Sequence, residues 1–381
     1  MNILFMYDGP LDREKGGTER ATGLVMDELN RRGHHAIGLL HFNQNNPNEI
    51  FLNREPVQSL SQFLKDNEID VVVNQIAFHY WLLQAFLSHG GEEWRAAGGK
   101  IVSVLHFPPI LVPIPVRWVF RNFHNLSLVG KIKKIGLFFY RPLLQAKAFK
   151  ERRLSYRYCY DKSDAYVMLS AGFIPDLQHL GKLDNTDKVW IIPNMLTFPV
   201  IEDVSILEKK ENIVLVVSRM EETPKKLTRV LNVWKKSCVP DWKLLFVGDG
   251  PDLERYKRFA EKLRLCNIEF LGRRSPLEHY KKAKIFLMTS DFEGWGLTLT
   301  ESLQNGVVPV AIDTVPVFHD IIEDGYSGFL VKDKNEMAKK VNELINNSAL
   351  RLRMGRNALV SSAEFTQAKV GEKWCTMLEN L

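Results

Sequence analysis

The 381-residue chain holds four cysteines, Cys159, Cys238, Cys266 and Cys375. They are scattered, with neither metal-ligand spacing nor the density of a disulfide scaffold, and read as reduced thiols of a cytoplasmic protein. No uncharged apolar run reaches the ~18 residues that would suggest a spanning helix. The N-terminus, Met1 to Asp8, has no basic stretch and no small-residue cleavage site, so it reads as a first strand rather than a signal peptide. A G-x-G-x-x-G run is also missing, which leaves a nicotinamide enzyme unsupported.

The basic excess is confined to one place. The net charge is +6, yet the segment from Leu111 to Tyr160 alone carries eleven Lys and Arg against one acid, Glu151. The remainder is therefore net acidic, and the protein is not generally basic. Prolines (Pro108, Pro109, Pro113, Pro115) rule out a regular helix at the start of the stretch from Phe107 to Arg157. Beyond them apolar residues (Trp118, Phe120, Phe123, Ile132, Ile135, Leu137, Phe138, Phe139) alternate with basic ones (Arg117, Arg121, Lys131, Lys133, Lys134, Arg141). That mixture fits an anionic membrane surface, or a solvated face packed on its domain. No nucleic-acid-binding module accompanies it, so nucleic acid is not an expected partner.

What the chain has in quantity is alternation of strands and helices. Asn2 to Tyr7, His35 to Phe42, Ile69 to Asn74, Lys100 to Leu105, Asp164 to Ser170 and Val189 to Ile192 read as strands. Thr18 to Arg32 and Val57 to Asn67 read as helices. After a charged linker, Leu196 to Asn212, the pattern restarts with strands at Ile213–Val217, Trp242–Val247, Ile268–Leu271, Ile285–Met288 and Val308–Val310. Such alternation implies parallel sheets covered on both faces, with ligands beyond the carboxyl ends of the strands. The length suits two domains.

The most informative stretch is Ser290 to Val310. A strand ends in Asp291-Phe292-Glu293-Gly294-Trp295-Gly296, and a helix pattern follows with Leu297, Glu301 and Gln304. The glycines let backbone approach a ligand, and a helix start offers free amides and a positive dipole to a phosphate. Carboxylates such as Glu293 and Glu301 suit vicinal hydroxyls. Taken alone, the two glutamates could equally be solvated side chains. Gly16-Gly17 stands at another strand-to-helix turn, His106 and His79 follow strands, and Arg219, Lys225 and Lys226 follow the strand Ile213–Val217. A diphosphate needs fixed positive charge of that kind.

This ordered set resembles the family-4 retaining glycosyltransferases, which have the GT-B fold. The resemblance covers nearly the whole chain and is weakest between Phe107 and Arg157. It implies two doubly wound Rossmann-like α/β domains facing across a cleft: an acceptor-binding domain (1–195, with a return helix 365–381) and a nucleotide-sugar-binding domain (196–364). By the resemblance, Glu293 and His106 lie at the donor sugar, Arg219 and Lys225 at the diphosphate, and Glu301 at the ribose. The backbone of Gly296, Leu297 and Thr298 would also meet the diphosphate. Gly16, Gly17 and Glu19 would sit near the phosphates and acceptor. Ser218 and Lys226 replace glycines of the family pattern, so either Lys225 or Lys226 could make the contact. No D-x-D run occurs, so neither a metal nor any cofactor is expected.

The expected activity is transfer of a hexose or N-acetylhexosamine, with retention of configuration, from a UDP-linked donor to a glycan or lipid-linked acceptor in surface polysaccharide or lipopolysaccharide synthesis. The expected location is cytoplasmic, on the inner face of the membrane. Two alternatives stay open: a nucleotide-sugar epimerase acting on donor alone, and a non-catalytic, membrane-docked nucleotide-sugar-binding protein.

Overall fold

Aliphatic runs of four or five residues between polar turns set the strands of the computed structural model, which describes residues 1–13, 16–43, 45–111, 120, 126–199, 201, 203–237 and 239–381. In the first half these are β1 (Asn2–Met6), β2 (His35–Asn43), β3 (Asn46–Leu52), β4 (Glu55–Val57), β5 (Val71–Asn74), β6 (Lys100–Leu105), β7 (Ala165–Met168) and β8 (Val189–Ile191). They form an 8-stranded sheet ordered β4-β3-β2-β1-β5-β6-β7-β8. All four residues of β5, Val-Val-Val-Asn, are buried, as a strand covered on both faces requires.

The second half contributes β9 (Ile213–Val217), β10 (Lys243–Val247), β11 (Ile268–Phe270), β12 (Ile285–Met288), β13 (Val308–Ile312) and β14 (Phe329–Val331). They form a 6-stranded sheet, β11-β10-β9-β12-β13-β14, with every pairing parallel.

Two parts differ from the sequence reading. Val57 was expected to open a helix, but Glu55–Val57 is the outer strand of an antiparallel hairpin with β3. Pro56 tolerates that place because an edge strand need not donate on its outer side. The helix begins later, at Leu60–Asp66, where the Ser59 side chain accepts from the Gln62 amide. The second difference is a 35-residue helix, Leu128–Lys162, in the basic segment. It starts only after the proline cluster, at Ser127, whose hydroxyl accepts from the Gly130 amide at 3.3 Å. Pro113, Pro115, Arg117, Trp118, Arg121 and Phe123 lie outside the described residues, as does Cys238.

This helix buries only Ser155, Tyr156, Cys159 and Tyr160, near its C-terminal end. Its N-terminal half turns Leu128, Ile132, Ile135, Phe139 and Leu143 outward, all of them exposed. The spacing of four, three, four and four residues places them in one stripe. Among the described residues, no helix is long and apolar enough to cross a membrane.

The chain finishes on the first sheet. Val370, Trp374, Met377 and Leu378 of helix Gln367–Glu379 share a core with Ile3, Phe5, Val71 and Val73. Trp374 is 3% exposed. Trp374→Ala is expected to cost ~3–5 kcal/mol, the usual loss for a buried large aromatic, read as a lower denaturant midpoint in equilibrium unfolding.

Candidate active site

Strand β9 ends at Val217, and the turn after it carries the candidate cations. Gly248 and Gly250, after β10, hold that turn in place. A Cβ on Gly248 would fall 2.0 Å from the Ser218 carbonyl oxygen, and one on Gly250 2.7 Å from that of Met220. The sequence reading had Lys225 and Lys226 opening the next helix. Instead a short helix, Glu222–Lys225, ends there, and Lys226 adopts φ 53° before helix Thr228–Ser237 begins. A left-handed residue at this point explains why glycine suits the position. Glu222 braces the turn by accepting from Thr228 Oγ1 at 2.6 Å and from the Tyr256 hydroxyl at 3.1 Å.

The two lysines diverge. Lys225 Nζ donates to Glu293 Oε1 at 2.5 Å. Lys226 Nζ lies 3.4 Å from Asp291 Oδ2, and Arg229 also binds Asp291. Arg219 is not drawn into the Lys225–Glu293 pair; its side chain is 67% exposed and pairs with Glu221 at 2.8 Å.

Beyond Glu293 the loop passes Gly294 and reaches Gly296, where φ is 94° and helix Leu297–Gln304 begins. No side chain caps that helix, so the Leu297 and Thr298 amides at its tip stay available. The helix start in the first domain, at Gly17–Arg31 with Gly16 as its cap, likewise has no side-chain cap. These two positive ends meet across the domain boundary: a Cβ on Gly17 would stand 3.2 Å from Leu297 Cδ1. Glu19 folds back over Gly16, where a Cβ would meet its Oε2 at 2.5 Å, and it bonds the Tyr7 hydroxyl. Burial, with the charges of Glu19 and Asp8, pushes the Tyr7 phenol up from its ordinary range.

Glu301 lies one turn into the helix and is 1% exposed. Its Oε1 accepts from Arg20 Nη1 at 3.0 Å and Thr197 Oγ1 at 2.9 Å, and its Oε2 from the Tyr280 hydroxyl at 3.0 Å. Burial raises its pKa, while Arg20 and the two hydroxyls pull it back. Arg20, Thr197 and Tyr280 were missed in the sequence. For Arg20 a signal existed, since it follows Gly17 by three residues and so shares its helix face. Tyr280 and Thr197 leave none.

His106 follows β6, and its carbonyl oxygen lies 1.7 Å from where a Gly294 Cβ would be. Only glycine allows the two domains to close to this distance. The His106 Nε2 is 2.5 Å from Gln75 Oε1, and with that oxygen as acceptor the proton is assigned to Nε2. Nδ1 of His106 and Nε2 of Gln75 are buried without a hydrogen-bond partner among the described residues. They are an unused acceptor and an unused donor beside the Gly294 loop. Burial drives the His106 pKa down to about 4, so the ring is neutral. His79 stands at the start of helix Tyr80–Phe86 with its ring 4.5 Å from that of Phe78, which in turn packs 4.9 Å from Phe107, the residue after His106.

The site is thus a pair of facing helix tips, flanked by a Lys–Glu pair, a neutral histidine and a buried carboxylate. Residues 198–360 match the family model described as glycosyl transferases group 1. The amylovoran biosynthesis glycosyltransferase AmsD of Erwinia amylovora is 26% identical over 232 residues, 58% of this chain and 64% of that one. The Campylobacter jejuni α-1,4-N-acetyl-D-galactosaminyltransferase named for a diNAcBac-PP-undecaprenol-linked substrate is 26% identical over 232 residues, 60% of this chain and 62% of that one. The matches span less than two thirds of these relatives' own lengths. The crystal structure of Anabaena HepE with UDP and glucose superposes with a TM-score of 0.67 over the full length of both chains at 17% identity. The fold is GT-B, two Rossmann-like α/β domains.

The His106 environment sets a pH dependence. Its folded pKa, about 4, lies below the ordinary 6.5. The neutral ring's contribution to stability is therefore present above about pH 6.5 and is lost as pH falls through about 4. Unfolding midpoints measured between pH 7 and 4 should fall more steeply for the parent protein than for His106→Gln.

Proposed function

We propose that this protein is a retaining glycosyltransferase that moves a hexose or N-acetylhexosamine from a UDP-linked donor to a glycan or lipid-linked acceptor. The observation that carries the reading is the meeting of two uncapped helix starts, Gly17–Arg31 and Leu297–Gln304, beside Lys225 and Glu293. Two positive helix ends and a lysine form a receptacle for a diphosphate. The family match supports sugar transfer, and the UDP and glucose held by HepE support the donor class. The undecaprenol-linked substrate in the Campylobacter relative's name supports a lipid-linked acceptor.

In this reading the domains part at Gly294 to admit the donor. The diphosphate takes Lys225 from Glu293 and meets the Leu297 and Thr298 amides; Arg219 swings from Glu221 to add a second cation. Freed Glu293 and the open nitrogen of His106 hold the sugar hydroxyls, and Glu301 receives the ribose. The acceptor oxygen attacks the anomeric carbon from the side the diphosphate is leaving. The bond from that carbon to the phosphate oxygen breaks, the new carbon–oxygen bond forms, and the acceptor proton passes to the departing phosphate. Lys225 and the helix tips stabilise the charge that develops there, in a water-poor gap where it counts most.

A thermal-shift panel of UDP, GDP and ADP should give its largest rise with UDP; a flat response to all three would overturn the donor assignment. Lys225→Ala should retain the parent circular dichroism while lowering turnover by about 10²-fold. Sugar conversion with donor alone and no acceptor would favour epimerisation instead.

The exposed stripe of helix Leu128–Lys162 extends the proposal to the cytoplasmic face of an anionic bilayer. Leu128, Phe139 and Leu143 are 75%, 73% and 67% exposed. Lys131, Lys133, Lys134, Lys147 and Lys150 lie on the same helix. Basic residues drawn to anionic headgroups contribute ~1 kcal/mol each, and apolar side chains add insertion energy. Sedimentation with phosphatidylglycerol vesicles should capture the parent protein at low salt, and Ile135→Ser with Phe139→Ser should weaken that capture. No capture of the parent, or a dimer broken by the same changes without vesicles, would remove the bilayer as the partner.

A further inference from the structure

On the far side of the second domain from the helix tips, a cavity of about 160 Å³ opens among the linker, β12 and helix Ser348–Ser362. Its floor is backbone: a Cβ on Gly355 would stand 2.9 Å from the Gly306 carbonyl oxygen. Its walls carry Lys210, Lys284 and Arg351. Glu208 is the one acid on the lining, and it pairs with Arg356 at 3.6 Å. Among the described residues, Lys210, Lys284 and Arg351 take part in no ion pair.

Each of the three cations is held by neutral groups only. Lys210 is 6% exposed and donates to the carbonyls of Tyr280 at 2.7 Å and Lys281 at 3.1 Å. Lys284 donates to Asn212 Oδ1 at 2.6 Å. Arg351 donates to the carbonyl of Ile345 at 2.8 Å and also to that of Leu344. Lys284 and Arg351 both approach the Trp242 ring, at 5.8 and 5.2 Å from its centre. Burying a charge without a counter-charge is costly, and the cost is visible here. Burial brings Lys210 down to about 7, and it lowers Lys284 and Arg351 as well, Lys284 with help from the Arg351 charge.

We propose that this cavity is an anion site, sized for inorganic phosphate or a terminal phosphate group, and separate from the nucleotide-sugar cleft. Lys284 and Arg351, with a buried Lys210 that a bound anion would keep protonated, surround a space whose one carboxylate is paired with Arg356, and this suits one compact, multiply charged anion. The volume argues for the same size class: it is several times the ~30 Å³ share of a water, yet below the ~300–1,000 Å³ of pockets that enclose drug-sized ligands. Lysine has a third donor to offer beyond the two carbonyls it meets, and Arg351 presents a planar fork.

The test is equilibrium dialysis of the full chain against labelled inorganic phosphate. The parent protein should bind one phosphate, and Lys225→Ala, which removes the cleft cation, should bind it with unchanged affinity. Lys284→Gln should bind at least about tenfold more weakly, as the loss of one charged hydrogen bond implies. Lys210→Met provides a second variant should Lys284→Gln not keep the parent circular dichroism. Phosphate should also change the fluorescence of the parent protein and leave that of Trp242→Phe unchanged. Absence of binding at millimolar phosphate overturns the proposal. Loss of binding in Lys225→Ala with retention in Lys284→Gln overturns it too, by putting the anion in the cleft. None of these readouts involves sugar transfer, so the outcome stands apart from that of the glycosyltransferase reading.

Discussion

A buried carboxylate has to be satisfied, and Glu301 is satisfied from three directions. Arg20 comes from the first helix of the first domain, Thr197 from the segment joining the domains, and Tyr280 from within the second domain. Leaving such a group unpaired costs several kcal/mol, so the arrangement of the halves is tied to the arrangement of these donors. Where Arg20 goes, its helix goes, and with it the Gly16-Gly17 tip. The same carboxylate therefore keeps the two helix starts opposed. Because Oε1 already has two donors, a ribose bound here, as proposed, would have to share the carboxylate with them or displace one.

Opposed helix starts would repel each other if nothing lay between or beside them. Glu19, turned back over Gly16, puts a carboxylate at one of the two tips, while Glu293 is paired with Lys225. In the proposed reading, an arriving diphosphate would displace Glu293 from Lys225 rather than meet a bare cation, so it would have to offer more than Glu293 already gives.

Much of this was readable in the chain because its signals are local. The strand Ile213–Val217 was readable to the residue, since an uninterrupted aliphatic run bounded by polar turns admits one reading. The placement of Glu293, Gly296 and Glu301 around a strand end and a helix start followed from glycines and helical spacing. The hairpin at Glu55–Val57 escaped because three residues carry no periodicity, and the nearby apolar residues fit either state. The divergence of Lys225 and Lys226 also escaped, being decided by one left-handed residue whose side chain gives no warning. Long-range partners such as Tyr280 and Gln75 owe their places to tertiary packing, which a linear pattern does not encode. The long helix was obscured by its own surface, where apolar residues face outward and mimic an irregular segment.

The return of helix Gln367–Glu379 onto β1 has a consequence for biogenesis. Val370 and Trp374 are translated long after Ile3 and Phe5, whose core they share. Until helix Gln367–Glu379 has been made, that face of the nascent sheet is covered only in part, by Val25 and Leu29 of the first helix. The second domain draws its own core from Val214 to Met354 and does not depend on that helix. Maturation of the two halves is therefore expected out of step with their order of translation, and chaperones would find their longest opportunity on the half that emerges first.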